Sequence, residues 1–198
     1  MKPGDRVSRD KRGPWAVVST REAYDNRWIR VTHHEVIAPS GDPGIYGTVH
    51  FKNRALGIVP VDADQHTFLV GQYRFPLDEY SWEIPEGGGA LDADFLESAK
   101  RELQEETGLR AARWHKLVEC DLSNSVSDER AIAFLAWELE QGLSAPEPTE
   151  ELVVRRLPLM EAFRMVDAGQ IRDALSVVAL QAVELLALKG RLSSLLRT

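Results

Sequence analysis

The 198-residue sequence predicts an α/β fold in which helices pack on a mixed sheet, preceded by an antiparallel β ribbon. Three observations lead to this prediction. Segments rich in β-branched and aromatic residues dominate the first half of the chain, and one segment with helical periodicity follows residue 94. Two more helical segments close the chain, and strands interspersed with helices are typical of layered α/β architectures.

Composition favours one domain with a short extension and excludes several classes of partner. A formal net charge of −7 and a pI near 5.3 would repel a phosphate backbone, so we expect no nucleic-acid polymer as partner. No segment has the roughly 18 uncharged apolar residues that a membrane span needs, so we expect no membrane association. The single Cys120 and the polar N-terminus, which lacks a secretory signal, predict a cytoplasmic protein.

The predicted elements follow one another in three parts. Residues 1–14 are polar, contain five basic residues and are predicted to be a mobile lead-in. Residues 15–54 are predicted to form the N-terminal β ribbon, and residues 55–198 the main domain. In the main domain we expect a hairpin from 55–61 and 67–75, then a short strand that enters a glycine loop within 81–89. Later strands are expected at 113–122, 130–139 and 151–159, and helices at 95–107, 159–168 and 171–188.

The first predicted helix carries an unusual crowd of acidic residues. Asp94 and Glu97 have the spacing of a capping box, and Gly108 suits the left-handed residue after a helix end. Within this helix, Glu102, Glu105 and Glu106 share one face, where like charges destabilise by about 0.2–0.5 kcal/mol per pair. Their place near the negative end of the helix dipole is unfavourable by about 0.3–1 kcal/mol each. A solvated acidic face is one interpretation, and a bound cation is the other.

The glycines before the helix favour the cation. Gly87, Gly88 and Gly89 lack a Cβ, so a backbone carbonyl such as that of Glu86 can approach an ion held by the helix. Several hard oxygen ligands suit Mg²⁺, or alternatively Mn²⁺, with positions left for water and substrate phosphates. The sequence therefore predicts a divalent metal site of four residues: Glu86, Glu102, Glu105 and Glu106.

The same segment resembles the Nudix box, the motif that defines the Nudix hydrolase family. Eight of nine defining positions agree: Gly87, Arg101, Glu102, Leu103, Glu105, Glu106, Gly108 and Leu109. Ala93 stands where the motif has Glu, and the neighbouring Asp92 or Asp94 could brace Arg101 instead. The resemblance implies an α/β/α sandwich and Mg²⁺-dependent hydrolysis of a nucleoside diphosphate linked to another group.

The resemblance also assigns roles to individual residues. It implies that Glu102 and Glu106 are metal ligands, that Glu105 is a ligand or a close support, and that the Glu86 carbonyl is a further ligand. Arg101 would orient the carboxylates. Water would attack phosphorus and split the diphosphate.

The sequence before the box resembles the ADP-ribose and nucleotide-sugar branch of the family. In "VGQYRFPLDEYSWEIPEGG", Arg74 matches an arginine that reaches the substrate, and Glu83 matches a glutamate beside the site; a structural ion pair is the alternative. The branch also implies a homodimer in which the N-terminal ribbon is a dimerisation arm. An acidic loop near the end of this branch supplies the catalytic base, for which Glu150 is the first candidate and Glu147 the second. If that loop is only solvated, Glu105 would take the proton.

The substrate remains open at this point. ADP-ribose, hydrolysed to AMP and ribose 5-phosphate, is the leading candidate, but "LSNSVSDE" stands where ADP-ribose enzymes usually have Ser-Pro-Gly. A UDP- or GDP-sugar is therefore the first alternative. The second is a non-catalytic sensor of nucleotide sugars, which Ala93 favours and the three intact glutamates disfavour. Damaged nucleoside triphosphates or coenzyme A would be further substrates, and the segment from Arg74 to Gly87 argues against them.

Overall fold

The computed structural model describes residues 10–144 and 151–197. The chain divides into two compact units. The first ends at Lys52 and includes the later segment Asp121–Glu129, and the second contains the rest of the described residues.

The first unit is an antiparallel ribbon of four strands in chain order. Its strands are β1 (Asp10–Arg12), β2 (Trp15–Asp25), β3 (Ile29–Ile37) and β4 (Pro43–Phe51). β1 lies within the predicted lead-in and corrects that part of the prediction. Gly13, with φ of 58°, allows a tight turn that lays Arg12 against Trp15. The segment Asp121–Glu129 also belongs to this unit, and the Val49 N–H donates to the Val126 carbonyl at 2.8 Å.

The second unit contains two sheets. A mixed sheet has the order β8 (Glu86–Ala90), β5 (Asn53–Pro60), β10 (Arg130–Gln141) and β9 (Leu109–Asp121), with β5 parallel to β10 and antiparallel to β8. A three-stranded antiparallel sheet has the order β11 (Val153–Pro158), β6 (His66–Arg74) and β7 (Glu79–Glu83).

Two predictions about these strands were wrong. β5 and β6 do not form the expected hairpin, because β8 and β10 occupy both edges of β5; one isolated bridge joins Val61 and Thr67. The expected glycine loop is instead strand β8, since consecutive glycines accept extended backbone and pair with β5.

Four helices complete the unit as the structure describes it: α1 (Phe95–Thr107), α2 (Leu159–Asp167), α3 (Ala174–Leu188) and α4 (Leu192–Leu195). The predicted bounds of α1 are confirmed. Asp94 caps it by accepting from the N–H groups of Leu96 and Glu97, and Gly108 ends it with φ of 74°. The helix expected from residue 171 begins only at Ala174, after Asp173 as N-cap. α4 was not predicted.

The expected α/β/α layering is confirmed around β5. Leu56 and Ile58 pack in one buried cluster with Ala99 and Leu103 of α1. A Cβ on Gly57, which points to the opposite face, would come within 3.0 Å of Leu175 on α3. Since side chains alternate along a strand, α1 and α3 cover opposite faces of the sheet. No helix among the described residues is long and apolar enough to cross a membrane.

Candidate functional site

The acidic face of α1 lies against strand β8. Glu106 is buried, with 5% of its surface exposed, and its Oε2 accepts a hydrogen bond from the Glu86 N–H at 2.9 Å. Glu102 Oε1 accepts from the Gly88 N–H at 3.2 Å. Two of the three glutamates therefore bind the main chain of the glycine strand, and the structure brings together the residues that the sequence predicted for one site.

The absence of a side chain at position 87 makes this approach possible. A Cβ built on Gly87 would lie 2.1 Å from Cδ and 2.4 Å from Oε2 of Glu102. Such distances are far inside van der Waals contact, so any side chain at this position would displace the carboxylate. Gly87 is thus a requirement of the site, whereas a Cβ on Gly88 would meet its nearest atom, in Asn53, at 3.3 Å.

Arg101 links Glu102 to Glu105, the third carboxylate of the face. Its Nη2 donates to Glu102 Oε1 at 2.5 Å and to the Gly88 carbonyl at 3.1 Å, and its Nη1 donates to Glu105 Oε2 at 2.5 Å. The expected orienting role fits this geometry. Asp94 instead caps the helix, so the expectation that an acid beside Ala93 braces Arg101 finds no support from Asp94.

The Glu102 carboxylate on this face is largely removed from water. Desolvation raises the pKa of Glu102 above its ordinary value; the positive charge of Arg101 acts in the opposite direction, and the negative charge of Glu105 adds to the rise. A carboxylate with a raised pKa gains from any further cation placed beside it. A further cation beside Glu102 would therefore stabilise its charged form.

The residues fit a divalent cation in donor type. Within residues 10–144 and 151–197, no group of three or more His, Cys, Asp and Glu side chains is arranged to hold a metal ion. In the structure, the Arg101 guanidinium donates to oxygens of both Glu102 and Glu105. The set still offers hard oxygen donors next to the three consecutive glycines of β8, and oxygen donors are the ligands that Mg²⁺ and Mn²⁺ prefer.

A second charged pair lies on β6 and β7. The Arg74 Nε donates to both oxygens of Glu83, at 3.0 and 3.1 Å, and its Nη2 makes a further short bond to Oε2. Glu83 is buried at 2% exposure. These bonds raise the pKa of Arg74, so the guanidinium keeps its charge. The pair is a structural ion pair on its Glu83 side. The Arg74 guanidinium is partly exposed, so an anion in solution can reach it.

A third group of polar residues was missed by the sequence reasoning. Ser176 is fully buried on α3; its Oγ accepts from the Ile84 N–H at 3.0 Å and donates to Glu86 Oε1 at 2.7 Å. Desolvation and the neighbouring charge of Asp173 raise the pKa of Glu86 well above its ordinary value. The Glu86 side chain thus binds α3, while its N–H binds Glu106. The N-cap spacing of Asp173 and Ser176 was the sequence signal that could have identified the start of α3.

Glu147 and Glu150, the two candidates for the catalytic base, lie outside the described residues.

Comparison with known proteins relates both units to one group of enzymes. A family model described as a NUDIX domain matches residues 51–177, and one described as a nucleoside diphosphate sugar hydrolase N-terminal domain matches residues 15–49. A solved structure titled "Crystal structure of ADP compounds hydrolase" superposes with a TM-score of 0.79 at 24% identity, covering 92% of this chain and 99% of that chain. That likeness concerns the fold.

Three relatives carry names that bear on substrate. An ADP-ribose pyrophosphatase of Mycobacterium tuberculosis is 34% identical over 65% of this chain and 64% of its own length, slightly less than two thirds. An ADP-ribose pyrophosphatase of Bacillus subtilis is 30% identical over 85% of this chain and 91% of that protein. A GDP-mannose pyrophosphatase of Yersinia enterocolitica is 29% identical over 73% of this chain and 75% of that protein.

The contact between Gly87 and Glu102 generates a prediction with a matched control. We expect Gly87→Ala to fold but to bind Mn²⁺ about 10- to 100-fold more weakly, because its Cβ displaces the Glu102 carboxylate. Gly88→Ala, one residue along the strand, should retain wild-type affinity. Calorimetric titration of Mn²⁺ measures both, and thermal unfolding verifies the fold. Equal affinities for the two variants would contradict the prediction.

Proposed function

The chain belongs to the Nudix family, and we propose that it hydrolyses the diphosphate bond of a nucleoside diphosphate sugar, with ADP-ribose as the leading substrate. The observation that carries the proposal is the face of Glu102, Glu105 and Glu106 packed against the glycines of β8. The names of the relatives supply the substrate class. A divalent cation held by these carboxylates would bind the phosphates of such a substrate.

The role proposed for each residue follows from its position in the structure. Glu102, Glu106 and the Glu86 carbonyl would hold Mg²⁺, or Mn²⁺, with Glu105 as a ligand or support. When bound, a divalent cation neutralises diphosphate oxygens and lowers the pKa of water. Binding of the ion would require Arg101 to shift from its present hydrogen bonds, so that the ion and the guanidinium share the carboxylates of Glu102 and Glu105. Arg101 would continue to orient both carboxylates.

The remaining residues bind substrate and move one proton. Arg74, held by buried Glu83, would donate to a diphosphate oxygen. A carboxylate, proposed as Glu150 with Glu147 as reserve and Glu105 as the alternative within α1, would accept a proton from the attacking water. The water oxygen forms a bond to one phosphorus, and the bridging P–O bond breaks. The products are a nucleoside monophosphate and a sugar phosphate, AMP and ribose 5-phosphate in the case of ADP-ribose.

The function is tested by a substrate panel. Purified protein is incubated with ADP-ribose, UDP-glucose, GDP-mannose, NADH, diadenosine polyphosphates and coenzyme A, with and without Mg²⁺, and the products are separated. We expect Mg²⁺-dependent release of AMP from ADP-ribose. Faster turnover of GDP-mannose or UDP-glucose would favour the alternative of another nucleotide-sugar diphosphatase. Tight binding of a nucleotide sugar without any hydrolysis would favour a sensor.

The charge of Glu106 generates the second prediction. Glu106→Gln keeps the side-chain volume but removes a negative charge from the proposed metal site, so we expect no measurable turnover. Glu97→Gln is the matched control on the same helix, since Glu97 pairs with Lys100 at the surface. We expect that variant to keep wild-type activity. Wild-type turnover by Glu106→Gln would remove the metal assignment.

The proposed base generates the third prediction. We expect Glu150→Gln to lower kcat by about 10²- to 10⁴-fold with a modest change in KM, the range for loss of a general base. Glu147→Gln should have a much smaller effect. Steady-state kinetics on both variants decide the assignment: a near-normal rate for Glu150→Gln with a slow Glu147→Gln would transfer the role to Glu147.

We further propose that residues 15–54 are a dimerisation arm attached to a hydrolase domain of residues 55–198. The ribbon exposes large apolar side chains, with Tyr24, Trp28 and Ile45 each more than half exposed. A second copy of the chain would cover them. Light scattering coupled to gel filtration should give the mass of a dimer, and a variant with Trp28→Glu and Ile45→Glu should be monomeric; a wild-type monomer would refute the arm.

A reducing compartment suits a chain with a single cysteine, and we propose the cytoplasm as its location. Fractionation of cells that express the full chain would test this, and recovery outside the cytoplasmic fraction would contradict it.

A further inference from the structure

A cavity of about 480 Å³ lies in the second unit beside the Arg74–Glu83 pair. Its walls are the β6–β7 hairpin and the residues just before α3, which contribute Arg172 and Asp173. The volume falls in the range of roughly 300–1,000 Å³ that small-molecule sites occupy. Asp173 also interacts with Glu86 at the start of β8, so the cavity adjoins the strand that carries the proposed metal site.

Strand β7 presents a polar face to this cavity. Glu79, Ser81 and Glu83 line it, whereas the alternate residues Tyr80 and Trp82 pack over Gly71, whose added Cβ would meet them at 2.3–2.9 Å. None of the described residues that line the cavity is aromatic. A nucleotide base normally stacks on an aromatic ring, so this cavity is poorly suited to the base of the substrate.

The charges of Arg172 and Glu79 are paired with each other, so the part of the cavity that they line is poorly suited to a bare phosphate. Arg74 is bound by Glu83, and Arg172 donates through Nη2 to Glu79 in a short ion pair. With Asp173 included, the lining carries two cations and three carboxylates. A net negative wall with many donors and acceptors fits a neutral, polyhydroxylated group: hydroxyls can donate to the carboxylates and accept from guanidinium N–H groups. Pro76 and Leu77 add apolar surface for the carbon face of a ring.

We propose that this cavity binds the sugar on the far side of the diphosphate, and that Arg172 is a residue that determines specificity for that sugar. The proposal rests on the proposed function, whose substrate has a nucleoside at one end and a sugar at the other. Arg74, which also lines the cavity, would bind the diphosphate, while the Arg172–Glu79 pair would contact the sugar hydroxyls. The sugar, and not the base, then selects the substrate at this end of the site.

Direct binding measurements test the assignment without requiring turnover. Ribose 5-phosphate and AMP, the two halves of ADP-ribose, are titrated in the presence of Mg²⁺ into wild type, Arg172→Ala and Arg172→Lys. Arg172 is largely exposed, so its removal should leave the fold intact. The control is Arg113→Ala, which removes an exposed arginine paired with Glu138 outside the cavity.

We expect Arg172→Ala to weaken ribose 5-phosphate binding by about tenfold, the loss expected for a charge-assisted hydrogen bond, and to leave AMP binding within twofold of wild type. Arg172→Lys should recover part of the affinity, and Arg113→Ala should match wild type. With ADP-ribose as substrate, KM should rise about tenfold in Arg172→Ala while kcat stays within about twofold.

Two outcomes would overturn the proposal. Unchanged binding of ribose 5-phosphate by Arg172→Ala would mean that the cavity does not hold the sugar, and weakened binding of AMP in its place would assign the cavity to the nucleoside. Neither result would contradict the proposed hydrolase function. A wild-type protein that binds ribose 5-phosphate but cleaves no nucleotide sugar would refute the proposed function and leave the binding assignment intact.

Discussion

The close approach of α1 to β8 is the interaction on which the rest of the site depends. Helix carboxylates accept hydrogen bonds from the N–H groups of Glu86 and Gly88, and they can do so because Gly87 leaves room for Glu102. The arrangement places three like charges next to a surface of main-chain groups. Such a cluster is unfavourable by itself, and Arg101 offsets part of the repulsion in the structure. The repulsion that Arg101 does not offset, and that a divalent cation would reduce, is the physical basis of the proposed metal site.

The corner between β7 and β8 fixes this local contact at one edge of the candidate site. Three different elements hold it: α3 through Ser176, α1 through Glu106, and β5 through the bond from the Ile58 N–H to the Pro85 carbonyl at 2.9 Å. Glu83, the partner of Arg74, precedes the corner in the chain, and the glycines of β8 follow it. A substrate bound at this corner would meet a guanidinium and carboxylates that are already held in place, which would limit the entropy lost on binding.

The residues within and beside α1 were sufficient to predict the helix and its acidic face. Contacts between residues that are distant in the sequence could not be predicted in this way. Asp94 and Gly108 define the two helix ends through bonds to residues no more than four positions away, so the sequence was sufficient there. The hairpin predicted for β5 and β6 was wrong because β5 pairs with β10, more than 70 positions later in the chain. The pattern of residues that predicts a strand does not identify the strand with which it pairs. The link between Ser176 and Glu86 also spans 90 positions. Glu147 and Glu150 remain predictions from the family resemblance alone.

The central claim is that the carboxylates of α1 are stable together because they serve a divalent cation. Calorimetric titration of Mg²⁺ and of Mn²⁺ into the wild-type chain, loaded with a non-cleavable methylene analogue of ADP-ribose, tests this claim most directly. We expect saturable uptake of the ion by wild type and its loss in Glu102→Gln, with thermal unfolding as the check on folding. Absence of uptake of either ion by the loaded wild-type protein would contradict the claim.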